Sequence, residues 1–127
     1  MPAQNLFEYA IIRVVPRVER EEFLNVGVIL YSRPAKFLQA RYALDEKRLQ
    51  AFSADLDLEE LNSYLQSLER ICKGAPDAGP IGELDLASRF RWLTATRSTV
   101  IQTSKVHPGF CNDPLAALDK LFHDMVQ

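Results

Sequence analysis

Two stretches of the chain are apolar on both sides of an extended register, and nothing else in the sequence constrains the fold as much. Leu6 to Val15 is rich in β-branched and aromatic residues and is stopped by Pro16. In a strand, Tyr9, Ile11, Arg13 and Val15 share one face, and Ala10, Ile12 and Val14 share the other. Val26 to Arg33 has the same two-faced character. A strand that borders water on one side alternates apolar and polar residues. One that does not alternate is expected at the centre of a sheet, covered on both faces. The cover is either helices on both sides, or helices on one side and a second copy of the chain on the other.

The remaining sequence supplies strands and helices in a definite order. Arg17 to Asn25 is polar, with Phe23 and Leu24 as anchors, and suggests a helical turn. Arg33-Pro34-Ala35-Lys36 reads as a turn, because proline pre-sets φ. Phe37 to Ala43 then pairs back as a third strand. Asp45 caps a short helix with Leu44, Leu49 and Phe52 turned inward. Asp57 caps the next, and Glu60 three residues later completes a capping-box-like pattern. Leu58, Leu61, Leu65, Leu68 and Ile71 recur at steps of three and four, and Lys73-Gly74 ends that helix.

Ala75 to Gly82 is a breaker-rich loop, too short for a domain linker. Leu84 to Leu93 predicts a helix, and Thr94 to Ser104, with Thr96, Thr99, Val100, Ile101 and Thr103, a fourth strand. Lys105 to Asp113 reads as a loop in which His107-Pro108-Gly109 forms a rigid turn. Asp113 and Pro114 open a last helix with Leu115, Leu118, Leu121, Phe122, Met125 and Val126 on its buried face. The order β-β-β-α-α-α-β-α implies a single α+β domain over residues 1–127: an antiparallel sheet of about four strands packed by helices.

At 127 residues, such a domain buries roughly two-thirds of its unfolded surface and needs no staple. Cys72 and Cys111 are therefore expected as free thiols. The start at Met1-Pro2-Ala3 shows no secretory signal, and no apolar run approaches the roughly 18 residues of a membrane span. The expected location is the cytoplasm. The net charge of −2 gives no general pull toward nucleic acid or membrane. Charge is unevenly spread, however: Asp45 to Arg70 is acidic, whereas Leu86 to Asn112 contains no acidic residue.

Two segments resemble a known family. Tyr9-Ala-Ile-Ile-Arg-Val-Val-Pro16 runs on through Arg20-Glu-Glu-Phe-Leu-Asn-Val-Gly-Val28. Later come Ile101-Gln-Thr-Ser-Lys-Val-His-Pro-Gly109 and Asp113-Pro114. In this order they resemble the bacterial family called domain of unknown function 3037. Glu21 and Lys105 depart from it, standing where a small residue, often glycine, and a proline are expected. The resemblance implies a cytoplasmic bacterial protein with no assigned reaction. It also implies a protein partner, a kinase-like neighbour of the HipA type.

Several polar residues lack an easy structural explanation. Arg13 lies inside an apolar strand, where a charge is costly unless paired. It is expected either in an ion pair with Glu22 or another carboxylate, or in an anion site. Arg41 poses the same question. Asn25-Val26-Gly27 suggests a turn with close backbone approach, near a ligand or simply under a neighbour. Arg97, Gln102 and His107 complete the candidate binding set of Arg13, Glu22, Asn25, Arg41, Arg97, Gln102 and His107. Any site is expected where the two family-like segments meet.

Other motifs are weak. Arg89-Phe90-Arg91-Trp92 mixes cations with rings, as single-stranded nucleic acid requires, but on a helix Phe90 and Leu93 would point inward. His107 and Cys111 lack a third orienting group for nucleophilic catalysis. Glu19, Glu21, Glu22 and Asp113 read as exposed acidic positions rather than a carboxylate pair. No catalytic residue, metal ligand set or cofactor motif is identified.

A protein-interaction module, more a binder than an enzyme, fits best, with dimerisation open. A small-anion or nucleotide-binding domain built on strand arginines is the alternative, since ten arginines stand against five lysines and arginine grips phosphate in two places. Weak nucleic-acid binding through residues 89–105 comes last.

Overall fold

The computed structural model describes residues 4–95, 97 and 99–127. Met1–Ala3, and Thr96 of the expected fourth strand, lie outside the described residues. The order of elements is β1 (Asn5–Val14), β2 (Leu24–Ser32), β3 (Phe37–Tyr42), α1 (Glu46–Phe52), α2 (Leu58–Lys73), α3 (Leu86–Leu93), β4 (Ile101–Thr103), β5 (His107–Cys111) and α4 (Pro114–Val126). The strands form one antiparallel sheet in the order β3-β2-β1-β4, with β5 also pairing with β1. The chain is thus α+β, with a β1-β2-β3 meander and β1 at the centre.

Both faces of β1 and β2 are covered, as their composition requires. Ala10, Ile12, Val14 and Ile29 pack under α2 and α3 with Leu61, Leu65, Leu68, Ile71, Phe90 and Leu93. Phe7, Ile11, Val28 and Leu30 pack under α4 with Leu118, Phe122 and Val126. Each fully buried aliphatic or aromatic side chain here stabilises the fold by about 1.5–3 kcal/mol. The helices begin where the capping chemistry places them. The Asp45, Asp57 and Asp113 carboxylates accept from the backbone amides of Arg48, Glu60 and Leu115, and Gly74 ends α2 at φ 64°.

Three local expectations are corrected. The fourth strand is only Ile101–Thr103, because β1 has room for a second short partner along the same edge. That partner is His107–Cys111, so His107-Pro108-Gly109 is strand and not a turn. Pro108 is tolerated there because β5 lies at the sheet edge. The helix expected from Leu84 begins at Leu86, where the Asp85 carboxylate accepts from the Ser88 amide; 3₁₀ turns occupy Pro76–Ala78 and Pro80–Glu83.

Two bulges flank β1. Ile12 faces Gly27 but Arg13 faces Asn25, so Val26 is an extra residue in β2. On the other side Ile12 faces Thr103 but Tyr9 faces His107, a step of three along β1 against four along β4–β5. Ser104 fills that second irregularity: its hydroxyl accepts from the Ile11 amide at 2.8 Å and donates to the Lys105 carbonyl. Bulges re-aim side chains and concentrate beside functional positions.

Candidate functional site: the half-covered sheet face

The first bulge places three polar side chains side by side. Arg13 stands opposite Asn25 on β2 and opposite Gln102 on β4, and cross-strand partners share a face. The two family-like segments therefore meet in space, in the row Asn25–Arg13–Gln102. This row lies on the face that α4 packs against. α4 covers mainly β2 and β3, so cover thins toward β1, β4 and β5.

Arg13 is the least explained residue of the row. Its guanidinium lies 3.9 Å from the centre of the Phe23 ring, and that ring is 44% exposed. Phe23 is thus no core anchor; it is a platform for a cation. Arg13 Nε is buried without a hydrogen-bond partner, as is Asn25 Oδ1 directly across from it. Burial lowers the Arg13 pKa from its ordinary value, yet a guanidinium stays charged at neutral pH. The expected ion pair with Glu22 is not formed. Glu22 bonds Arg20 within the exposed β1–β2 connection, and no carboxylate among the described residues pairs with Arg13.

The other candidates disperse. Asn25 is in β2 and outside the left-handed region, so no turn forms there. Its Nδ2 donates to the Met125 carbonyl at 3.1 Å and, with Arg48 donating to Val126, holds the last turn of α4. Arg41 shares the face of Arg13, but it is committed to Asp119 at 2.8 Å and to the Phe122 ring at 4.5 Å. Arg97 lies over Trp92 at 4.3 Å and donates to the carbonyls of Leu93 and Trp92. Gln102 donates to Thr99. His107 packs on Tyr9 at 5.4 Å. Tyr9 is four residues from Arg13 along β1, or about 13 Å away. The picture of several arginines converging with Asn25 and His107 in one pocket therefore fails; of Arg13, Arg41 and Arg97, Arg13 alone makes no ion pair or side-chain hydrogen bond among the described residues.

The weaker motifs also find places. Arg89 turns inward and donates to Ile71, Cys72 and Leu84 carbonyls. Phe90 is buried and Trp92 exposed. Asp113 is a helix cap, remote from the acidic turn at Glu19–Glu22 in role. His107 and Cys111 are four residues apart on β5, roughly 13 Å, too far for proton transfer between them. Among the described residues no three His, Cys, Asp or Glu side chains cluster as a metal set. No helix is long and apolar enough to cross a membrane.

Cys72 faces the α2 core and Cys111 the α4 core, on opposite sides of the sheet, and both are free. Burial pushes the Cys72 thiol up to about 12. Iodoacetamide at pH 8 should therefore modify half-buried Cys111 first, with Cys72 labelled only on unfolding. Mass spectrometry checks this, and equal rates would contradict the packing of α2. Cys72 holds its proton when folded but releases it near 8.5 when unfolded. Its contribution to stability is therefore present below that value and lost as pH climbs toward 12.

A family described as a protein of unknown function, DUF3037, matches residues 9–126. No curated protein and no solved structure matches the chain.

Proposed function

The chain belongs to the DUF3037 family, and from that premise we propose that it is a protein-interaction module which receives an acidic segment of a partner on the half of the sheet that α4 leaves open. One observation carries this: a half-buried guanidinium with no carboxylate partner among the described residues, its Nε buried and unbonded, lies on an exposed aromatic ring in the row where the two bulged strands meet β1. Arginine and aromatic residues dominate the energetics of protein interfaces. A carboxylate delivered by a partner would complete Arg13 with charge-assisted hydrogen bonds, and the Phe23 ring would keep water out. A HipA-type kinase homologue is the partner to test first. Free oxyanion binding is the second reading, because Arg13 would grip inorganic phosphate by the same chemistry. It has the weaker support, since Arg41 and Arg97 are already committed elsewhere.

The test is copurification of the tagged chain with the co-expressed kinase homologue, comparing wild type with Arg13→Met. Losing a charge that meets a buried carboxylate costs about 2–4 kcal/mol, or roughly 30-fold or more in affinity. The variant should keep its fold, because Arg13 makes no ion pair among the described residues and methionine retains an apolar stem of similar length. Equal capture by both proteins would sink the proposal. Retention of inorganic phosphate by wild type alone, without capture of protein, would favour the second reading.

A further inference from the structure

Among the described residues, two buried side-chain polar atoms have no hydrogen-bond partner, Arg13 Nε and Asn25 Oδ1. One is a donor and the other an acceptor. Their residues face each other across the β1–β2 ladder, directly after the bulge at Val26. Side chains in such pairs start only about 4.5–5.5 Å apart at Cβ. A hydrogen bond left unmade at a buried atom is costly, and a charged donor raises the cost.

A ligand is poorly placed to relieve that cost, because both atoms are enclosed by the protein. Each is the one unbonded buried complement of the other. The orientation of the Asn25 amide is fixed independently. One arm bonds the Met125 carbonyl at 3.1 Å. A carbonyl only accepts, so that arm is Nδ2 and the unbonded arm is the oxygen.

We propose that Asn25 is the positioning residue of the Arg13 site: its Oδ1 accepts from Arg13 Nε while its Nδ2 holds the last turn of α4, so the aim of the guanidinium and the docking of that turn depend on each other. This rests on the interaction reading and deepens it. The Phe23 ring covers one face of the guanidinium, and Asn25 occupies its inner edge. Of the three guanidinium nitrogens, Nε alone is both buried and unbonded, so the two terminal nitrogens remain for a partner. A carboxylate of the partner is then gripped end-on, by two parallel N–H bonds.

The experiment uses the whole chain, labelled with ¹⁵N and without ligand. It reads the Arg13 Nε–Hε resonance and amide exchange in the last turn of α4. Asn25→Val should move the Arg13 Hε resonance upfield, toward that of exposed Arg17. Asn25→Asp keeps an acceptor oxygen and should hold the resonance in place or move it further downfield. Phe23 is common to all three proteins, so its ring current does not produce the difference. Both variants lose the Met125 bond, and exchange at Met125 and Val126 should quicken about tenfold. Arg13→Met keeps that bond but leaves Asn25 held at one end, and should quicken the same amides about threefold. Amides of α2, on the other face of the sheet, are the control and should not change. The inference is overturned if Asn25→Val leaves the Arg13 Hε resonance where it was, or if Arg13→Met leaves exchange at Met125 and Val126 at the wild-type rate. The second arm needs no Asn25 variant, so it decides even where Asn25→Val does not fold. A kinase homologue that fails to copurify would sink the interaction reading and leave these readouts standing. Unmoved readouts with a captured partner would do the reverse.

Discussion

Replacing Gly27 with alanine should lower the stability of the domain by about 3 kcal/mol, the upper range for overpacking a well-packed site. At Gly27 the strand backbones of β2 and β3 approach so closely that an added Cβ would lie 2.7 Å from the Arg41 carbonyl oxygen and 2.8 Å from Tyr42 Cβ. Neither neighbour can rotate aside. One belongs to the backbone, and the other is fixed to it in the same ladder. The bulge at Val26 aggravates the effect, because Gly27 is where β2 returns to register with Ile12. For a chain of this size the melting temperature should fall by roughly 10 °C. Gly109→Ala is the comparison: the nearest atoms to its Cβ would be those of the Phe7 ring, at 2.5 Å. A side chain can yield in part, so the loss should be smaller, about 1–2 kcal/mol. Thermal denaturation of both variants checks the ordering, and an unperturbed Gly27→Ala would mean that the β2–β3 register is wrong.

Arg89→Ala should have an effect of similar size for a different reason. The Arg89 side chain bonds three carbonyls: Ile71 and Cys72 at the last turn of α2, at 2.8 and 2.9 Å, and Leu84 before α3, at 2.9 Å. The last carbonyls of a helix have no partner within it. Here a guanidinium supplies partners, and its charge also suits the negative end of the helix. Hydrogen bonds to a charged donor contribute about 1.5–3 kcal/mol each in favourable cases, and those sharing one side chain do not add in full. A loss of about 3 kcal/mol follows. Arg89→Lys should recover only part of it, because an ammonium cannot span three acceptors in the planar fork of arginine. If Arg89→Ala melted with wild type, the tie between α2 and α3 would be refuted. The same bonds argue against nucleic-acid binding through residues 89–105, since two of the expected phosphate readers, Arg89 and Arg97, are spent on helix ends.

Glu21 shows how far local rules reach. The family pattern led to the expectation of a small residue there, often glycine. The structure has Glu21 at φ 58°, a left-handed conformation that glycine adopts at no steric cost. Glutamate pays that strain in an exposed connection, where it is affordable.

The central placement of β1, the helix caps at Asp45, Asp57 and Asp113, and the stop at Gly74 were all legible in the sequence. Each depends on neighbours within a few residues or on the apolar count of one strand. The free thiols and the family membership were legible for similar reasons. Whether the two family-like segments meet was left open by the sequence; the structure brings them together at the Arg13 row. Which polar residues are free to bind was not legible. Arg13, Arg41, Arg89 and Arg97 are equivalent as letters in a sequence. Tertiary packing gives Arg41 an aspartate 78 residues away, gives Arg89 and Arg97 helix carbonyls, and leaves Arg13 on Phe23. Arg97's carbonyls lie only four and five residues back in the chain, and the one-residue bulge at Val26 bears on Arg13 alone, setting Asn25 opposite it. A bulge depends on which side chains must fit between three strands at once, so its position emerges only when the sheet is assembled.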